Sequence, residues 1–293
     1  MGTLRAAATL SGFLGLTVPL MPVQAALLRL SPKRARQFPH WYHKQVCRLL
    51  GIRIKITGMV EPSRPVLIVA NHTSWLDIPV LSAVAPVSFV AKKEVAGWPL
   101  VSTLARLQRT VFVDRQRKSA VGETAAEILE RLEAGDAIVL FAEGTSSDGN
   151  RVLPFRTSLF AAAKPSTTMA AEGMRASLEP VVQTVSIAYT HLHGVPLSRA
   201  DRHLVGWYGD MEMQSHAWQL LKSGPLDVAV IIGPPVPLSD FKDRKVLAER
   251  AETAVRAQLV RTLRARPPCD EPVVAASPRR PSSVSRAASG KWR

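Results

Sequence analysis

The chain is poor in cysteine, with two in 293 residues. Cys47 and Cys269 lie far apart in sequence and form no CxxC pair, so they offer no evident disulfide framework. This scarcity favours a reducing compartment over secretion. Cys47 stands in an apolar, helix-like stretch and is interpreted as a small buried hydrophobe.

Acidic residues are absent from the first 60 positions, which hold nine Lys and Arg. The tail from Pro267 carries a net +3, so only +3 of the total +15 remains for residues 61–266. Positive charge confined to the ends favours an anionic membrane surface, where each basic residue is worth about 1 kcal/mol. A nucleic-acid-binding protein would more often carry a basic stripe with aromatics on a recognisable module. We find no such module and predict a membrane, not nucleic acid, as a partner.

Charge of either sign is missing from the apolar segment Ala6–Leu28. At about 1.5 Å per residue, a helix of this length can enter or cross a hydrocarbon core about 30 Å thick, with kinks at Pro19 and Pro22. Three interpretations stay open: a spanning helix, a half-inserted anchor, or a secretory signal ending near Val23–Ala25. The basic cluster within Arg29–Arg36 predicts that this end of the segment faces the cytosol.

Residues 38–50 mix aromatic and aliphatic side chains with basic ones, which fits an interfacial amphipathic helix or a core-facing helix. From Gly51 onward strand-like and helix-like patterns alternate, which predicts an α/β fold with a mostly buried central sheet flanked by helices. We therefore divide the chain into a membrane-anchoring helical segment (1–50), an α/β domain (51–266) and a basic tail predicted to be disordered (267–293). The predicted strands are 52–56, 66–70, 87–90, 110–113, 137–141, 181–187 and 228–232, and the predicted helices 78–84, 99–107, 120–132, 158–163, 211–222 and 245–263.

The stretch Asn71–Asp77 follows the apolar run Val66–Ala70 and precedes a helix-like run. His72 and Asp77 are five positions apart and would not share one face of a regular helix, but a turn between strand and helix can bring them together. The carboxylate would then hold one ring nitrogen and leave the other as a base, which suits an enzyme that takes a proton from a hydroxyl. The alternative is a surface loop in which Asp77 caps a helix.

Two further blocks have the same strand-end character. Arg109–Arg115 reads as a short strand that ends in a cation, and Ile138–Phe141 is a buried strand that runs into the polar turn Ala142–Ser147. Open α/β folds bind ligands beyond the carboxyl ends of their strands, so the blocks predict one site at one edge of a sheet.

Together these blocks resemble the glycerolipid acyltransferases typified by 1-acyl-sn-glycerol-3-phosphate acyltransferase, over about residues 51–232. Two positions depart from the family pattern, because Ala142 replaces a proline and Ser146 an arginine. A fourth block, near Val181–Ile187, matches weakly, with Thr184 at the place of a proline. The matched positions are Asn71, His72, Ser74 and Asp77 of Asn-His-x-Ser-x-x-Asp, Phe112 and Arg115 of Phe-x-x-Arg, and Phe141, Glu143, Gly144, Thr145 and Ser147 of Phe-Pro-Glu-Gly-Thr-Arg-Ser.

The resemblance implies that His72 and Asp77 are catalytic, with His72 as the general base for direct attack of a lipid hydroxyl on a thioester. It implies no cofactor and no metal, with acyl-CoA or acyl carrier protein as the acyl donor. Oxyanion donors are expected among backbone N–H groups after Phe141 or near Asp77. The lysolipid headgroup is expected to bind at Arg115, Glu143, Gly144 and Thr145, with Arg115 on a phosphate, Glu143 ordering Arg115 or a glycerol hydroxyl, and Gly144 allowing close backbone approach.

The leading functional prediction is acylation of 1-acyl-glycerol-3-phosphate at its sn-2 hydroxyl to give phosphatidic acid, at the cytoplasmic face of a bacterial inner membrane. The same chemistry on a lyso-ornithine lipid or another lysolipid is an alternative, because Ser146 and the run Thr145–Arg151 resemble the bacterial branch that includes the ornithine-lipid enzymes. A zwitterionic headgroup would need fewer cations than a phosphate. A non-catalytic membrane-binding protein is the alternative from another class. The resemblance also implies that residues 1–50 form a helical hairpin in one leaflet.

Overall fold

The computed structural model describes residues 2–113, 118–163 and 179–264. Arg115 and the predicted tail 267–293 lie outside the described residues. The seven predicted strands are all present, and with two short additions they form a single sheet. The nine strands are β1 (Ile52–Thr57), β2 (Val66–Ala70), β3 (Val87–Lys92), β4 (Val111–Val113), β5 (Ala137–Phe141), β6 (Val181–Leu192), β7 (Val195–Pro196), β8 (Leu226–Ile232) and β9 (Val236–Pro237).

The strand order is β1-β8-β6-β2-β5-β3-β4, with β7 and β9 paired to β6. Strands β6, β2, β5, β3 and β4 run parallel to one another, whereas β8 is antiparallel to β6. The carboxyl ends of these five parallel strands therefore meet at one edge of the sheet, which we call the carboxyl edge. All five residues of β2 are buried, as the continuous apolar run of a strand covered on both faces requires.

Helices cover both faces of the sheet. The predicted segment 158–163 is a 3-10 helix (Thr157–Ala163), and the other five predicted helices of the α/β domain are α-helical with ends shifted by one or two residues. These α-helices follow two N-terminal ones, which gives the α/β architecture that the sequence predicts. The α-helices are α1 (Gly2–Leu30), α2 (Pro32–Leu50), α3 (Asp77–Val84), α4 (Val101–Leu107), α5 (Lys118–Glu133), α6 (Met213–Ser223) and α7 (Arg244–Leu263).

The first two helices form an antiparallel hairpin, because Thr17 shares a hydrogen bond with Tyr42 (2.7 Å) and the Gln24 amide donates to the carbonyl of Ala35 (3.0 Å). Only Ser31 separates them. Helix α1 is long and apolar enough to cross a membrane by length and composition, and it is the one such helix in the described residues. It leaves large apolar side chains exposed, among them Leu4, Leu10, Leu14, Val18, Val23 and Leu30.

Helix α2 faces the core on one side, as the core-facing interpretation predicts, while its interfacial position stays a prediction. Its inner face buries Val46 and Cys47, while Trp41 on the outer face is 47% exposed. The His43 ring lies 2.9 Å from the Ser82 hydroxyl on α3, and burial lowers the pKa of His43 to about 4, so the ring is neutral there. The hairpin is thus packed onto the α/β domain.

An ion-pair cluster fastens the hairpin at the opposite edge of the sheet, where β5 begins. The buried carboxylate of Asp136 lies 2.9 Å from Arg36 of α2, 2.7 Å from Arg109 and 3.1 Å from Arg131 of α5. One carboxylate therefore joins three elements that are distant in sequence.

Candidate active site

The turn between β2 and α3 brings His72 and Asp77 into contact. Nδ1 of His72 lies 2.8 Å from Oδ2 of Asp77. The same oxygen accepts the backbone N–H groups of Thr73 (2.7 Å) and Ser74 (3.0 Å), so the turn folds around the carboxylate. Asp77 is completely buried, and such a group is stable only when its acceptors are satisfied.

The second oxygen of Asp77 accepts a hydrogen bond from the Tyr189 hydroxyl at 2.7 Å. Burial and the nearby Asp77 raise the pKa of Tyr189 well above its ordinary value, so the phenol stays protonated and donates. The sequence analysis missed Tyr189, because it lies on β6 and meets Asp77 only when β6 pairs with β2. The carboxylate thus accepts four hydrogen bonds and is fixed in position.

The His72 ring is supported on one face and remains accessible. It stacks on Phe141, with centroids 4.0 Å apart and an interplanar angle of 18°, and Phe89 stacks beyond Phe141 at 6.1 Å. The His72 side chain is 18% exposed. With Nδ1–H donating to Asp77, Nε2 is the nitrogen that can accept a proton from a substrate.

Glu143 lies behind the turn between β2 and α3 (residues 71–76), which we call the catalytic turn because it carries the proposed base His72. Its Oε1 accepts the backbone N–H of His72 (2.8 Å) and its Oε2 that of Leu153 (2.9 Å). The side chain is 1% exposed, and burial raises the pKa of its carboxyl from 4.5 to about 8. The structure therefore gives Glu143 a part in holding His72, while its contact with a headgroup stays a prediction.

The turn after β5 meets the catalytic turn at the carboxyl edge. Gly144 has φ +73°, a conformation that favours glycine, and Thr145 beside it is exposed. The Ser147 N–H donates to the His72 carbonyl at 2.8 Å, which joins the two turns directly. Arg115, the remaining predicted headgroup residue, lies outside the described residues.

Several candidate oxyanion donors are already engaged. The N–H groups of Thr73 and Ser74 donate to Asp77, and that of Gly144 donates to the Phe141 carbonyl at 3.1 Å. In this arrangement none of these three N–H groups is free for an oxyanion.

Asn71 joins two central strands. Its amide accepts the Ile187 N–H (2.8 Å) and donates to the Ile187 carbonyl (3.0 Å), which fixes the end of β2 against β6. The motif residue therefore acts on the backbone that carries His72. Ser74, also from the motif, is buried, and its hydroxyl has no partner among the described residues.

An apolar cavity of about 600 Å³ lies between the hairpin and the domain. Trp75 of the catalytic turn and Phe89 of the ring stack both line it, so the cavity begins next to the His72 site. Helices α1, α2, α4 and α6 enclose the rest. Further lining residues include Phe13, Leu20, Val46, Leu104 and Trp218.

Known proteins are similar to this chain over most of its length. The family model described as Acyltransferase matches residues 52–188. A lyso-ornithine lipid O-acyltransferase of Brucella abortus is 46% identical over 88% of this chain and 95% of its own length. One of Rhizobium meliloti is 41% identical over 84% and 83%.

Two further comparisons involve another acceptor. A 1-acyl-sn-glycerol-3-phosphate acyltransferase of Neisseria meningitidis is 28% identical over 72% of this chain and 76% of its own length. The crystal structure of the 1-acyl-sn-glycerophosphate acyltransferase PlsC from Thermotoga maritima has the same fold, with a TM-score of 0.63 and 23% identity over 90% of this chain and 95% of that one.

Proposed function

This chain belongs to the acyltransferase family and acts on lysolipids, and we propose that its acceptor is a lyso-ornithine lipid. The relatives named for that acceptor are 46% and 41% identical, against 28% for the relative named for 1-acyl-glycerol-3-phosphate. These identities favour lyso-ornithine lipid, the alternative acceptor in the sequence analysis, over 1-acyl-glycerol-3-phosphate, the leading prediction there. The observation that carries the reaction is the His72–Asp77 pair at the accessible carboxyl edge.

The proposed chemistry uses His72 as a general base. Nε2 takes the proton of the acceptor hydroxyl as its oxygen attacks the thioester carbonyl, and Asp77 stabilises the imidazolium. The tetrahedral intermediate collapses as the C–S bond breaks, and the proton passes from the imidazolium to the leaving thiolate. An ester and a free thiol result, and no acyl-enzyme is needed.

The apolar cavity is suited to a fatty acyl chain. It is lined mainly by aliphatic and aromatic side chains and begins at Trp75, three positions after His72 in the chain. Burial of methylene groups is worth about 0.8 kcal/mol each, which is enough to position a chain firmly. The thioester of CoA or of acyl carrier protein is the proposed donor.

The hairpin is the proposed membrane anchor. The exposed apolar side chains of α1 and the basic residues of its turn suit insertion into an anionic leaflet. We place the enzyme at the cytoplasmic face, since the basic turn favours that side and thioester donors are cytosolic.

Acylation of 1-acyl-glycerol-3-phosphate is the second candidate, favoured by the Neisseria relative. It predicts that a phosphate is bound without the arginine that Ser146 replaces. The two candidate acceptors therefore differ in the charge of the headgroup, which is zwitterionic in lyso-ornithine lipid and anionic in 1-acyl-glycerol-3-phosphate.

The test is a headgroup panel with purified full-length protein in detergent. Release of thiol from acyl-CoA is measured with lyso-ornithine lipid or with 1-acyl-glycerol-3-phosphate as acceptor, and with His72→Ala as the blank. Faster turnover of lyso-ornithine lipid supports the proposal, and a preference for the phosphate lipid overturns it in favour of the second candidate. The assay is repeated with acyl-loaded acyl carrier protein as donor. If neither acceptor releases thiol above the blank with either donor, the protein is a non-catalytic membrane-binding member of the family.

A further inference from the structure

The segment that follows β6 lies against the catalytic turn. Since β6 and β2 are parallel, residues 193–212 leave the sheet at the carboxyl edge. The Trp207 N–H donates to the Thr73 carbonyl at 2.9 Å. A Cβ on Gly206 would lie 3.2 Å from the Ser147 carbonyl oxygen, which shows how closely the segment packs on the turn after β5.

This segment brings the cation of Arg202 close to the carboxylate of Asp148 on the turn after β5, and no direct hydrogen bond joins the two groups. Nη1 of Arg202 donates to Oδ1 of Asn150 at 2.9 Å. The Asp148 carboxylate accepts from the Asn150 N–H (3.0 Å) and Nδ2 (3.3 Å). Among the described residues neither Arg202 nor Asp148 makes an ion pair, and Asn150 stands between them. We call these three residues the charge cradle.

Neighbouring groups are occupied elsewhere or exposed. The Ser198 hydroxyl donates to Asp201 at 2.5 Å, and the Arg199 carbonyl accepts from Asn150 at 3.1 Å. Arg199 and Arg151 have exposed side chains. The cradle therefore holds one part-buried positive group and one part-buried negative group.

Arg202 has unused donor capacity. Its Nε is buried and has no hydrogen-bond partner among the described residues. A buried donor without a partner has lost its hydration without compensation, and a hydrogen bond to an anionic ligand would restore part of that loss. Burial and the nearby Arg199 lower the pKa of Arg202, and Asp148 offsets only part of this effect, so a further negative partner would relieve the electrostatic cost that remains.

The residue at position 146 fits this arrangement. The Ser146 hydroxyl donates to the Trp207 carbonyl, so it fastens the segment that carries Arg202 to the turn after β5. Where the family has an arginine, this chain has a short serine side chain. Its hydrogen bond to Trp207 holds the segment that carries Arg202 against the turn after β5.

We propose that the charge cradle binds a zwitterionic amino-acid headgroup, with Arg202 on its carboxylate and Asp148 on its ammonium group. This rests on the proposed function. Ornithine has no hydroxyl group, so the acceptor oxygen must lie on the acyl chain of the lysolipid. An ornithine acylated through one amine keeps a carboxylate and the other amine, and the cradle offers one group for each.

The same arrangement selects against a phosphate lipid. A phosphate monoester carries more than one negative charge near neutral pH, and Asp148 repels it while only one part-buried guanidinium attracts it. Unpaired or repelling charges against the wrong ligand are a common source of specificity.

The experiment compares full-length wild type with Arg202→Gln, Asp148→Asn and a control, Arg261→Gln, at an exposed arginine in the last turn of α7, using three acceptors. These are lyso-ornithine lipid, its carboxamide analogue, in which the carboxylate is neutral, and 1-acyl-glycerol-3-phosphate. Arg202→Gln should lower kcat/KM at least tenfold for lyso-ornithine lipid, mainly through KM, and at most twofold for the carboxamide. Asp148→Asn should raise the use of the phosphate lipid relative to lyso-ornithine lipid, and Arg261→Gln should leave the activity with all three acceptors unchanged.

The ratio of kcat/KM for two acceptors is measured within each variant. A smaller fraction of folded protein lowers both values equally, so it does not change the ratio. Arg202→Lys, which keeps the charge, should retain part of the preference for the carboxylate. An equal loss with both ornithine acceptors would show a structural role and overturn the assignment, as would no loss with either. If the wild type acylates the phosphate lipid but not lyso-ornithine lipid, the proposed function itself is overturned. This result is distinct from a failure of the Arg202 and Asp148 assignment.

Discussion

The Tyr189 hydroxyl donates to Oδ1 of Asp77, and the other oxygen of that carboxylate receives the His72 ring. The proposed catalytic pair is therefore part of a three-residue chain that crosses from β6 to the turn after β2. We expect Tyr189→Phe to lower kcat about tenfold with little change in KM, because one hydrogen bond to a buried carboxylate is worth about 1.5–3 kcal/mol and only part of it acts on His72.

Tyr189→Phe keeps the ring and its packing but leaves Oδ1 of Asp77 without its donor, so we expect a loss of thermal stability as well. The kinetic effect is therefore measured well below the unfolding transition of the variant, where all of the enzyme is folded. A rise in KM alone would mean that Tyr189 contacts substrate rather than positioning Asp77.

His72→Ala should reduce kcat by a factor of about 10²–10⁴, the usual contribution of general-base catalysis. The fold should survive, since His72 is partly exposed and its backbone contacts with Glu143 and Ser147 remain. His191→Ala, a half-exposed histidine on β6, is the matched control and should keep full activity. Wild-type turnover by His72→Ala would remove His72 from the mechanism.

The contribution of Glu143 to the stability of the protein should fall as pH rises from about 4.5 to about 8. The folded state holds this proton up to about pH 8, whereas the unfolded chain loses it near 4.5. The folded state therefore binds more protons in this window, and its advantage is present below 4.5 and lost as pH rises through 8. Denaturant unfolding at several pH values should show a shallower decline for Glu143→Gln than for wild type.

The control for Glu143→Gln is Glu133→Gln, because Glu133 is exposed at the end of α5. That variant should follow the wild-type pH dependence. Only slopes are compared, since the glutamine also places an amide against a backbone N–H and lowers stability at every pH. Identical slopes for Glu143→Gln and wild type would contradict the raised pKa.

Asp136→Ala should destabilise the protein by about 3–5 kcal/mol, because it leaves Arg36, Arg109 and Arg131 around an empty, largely buried site. Asp227→Ala breaks a pair with Arg53, whose side chain is 65% exposed, and should cost less than about 1 kcal/mol. Chemical denaturation of both variants checks the contrast. Equal losses would mean that burial does not set the strength of these pairs.

Gly58→Ala should cost at least about 2 kcal/mol. Gly58 has φ +84°, and an added Cβ would lie 2.4 Å from the backbone oxygen of Ile232, which cannot swing aside. Gly15→Ala in α1 meets nothing within 4 Å and should be neutral or stabilise the helix by up to about 1 kcal/mol. Opposite signs in thermal unfolding are the expected result, and a loss at Gly15 would indicate a contact on that face.

Local pattern was enough to predict most of the secondary structure. The run Val66–Ala70 is apolar at every position because β2 is covered on both faces, and such a signal does not depend on any distant residue. The spacing of His72 and Asp77 likewise predicted their contact, since five residues of turn bring the two side chains within reach. The alternation of strands and helices indicated the α/β class for the same reason.

The roles of Glu143, Tyr189 and Arg202 were decided by tertiary structure alone. Each acts through a neighbour more than 50 residues away, or through a segment that reaches the site only because β6 pairs with β2. Sheet order arises from the packing of the whole domain, and no local periodicity encodes it. The sequence by itself therefore determined the contact between His72 and Asp77 and the strands next to it. The fold decided which buried donors and charges surround that pair, because those depend on contacts between segments far apart along the chain.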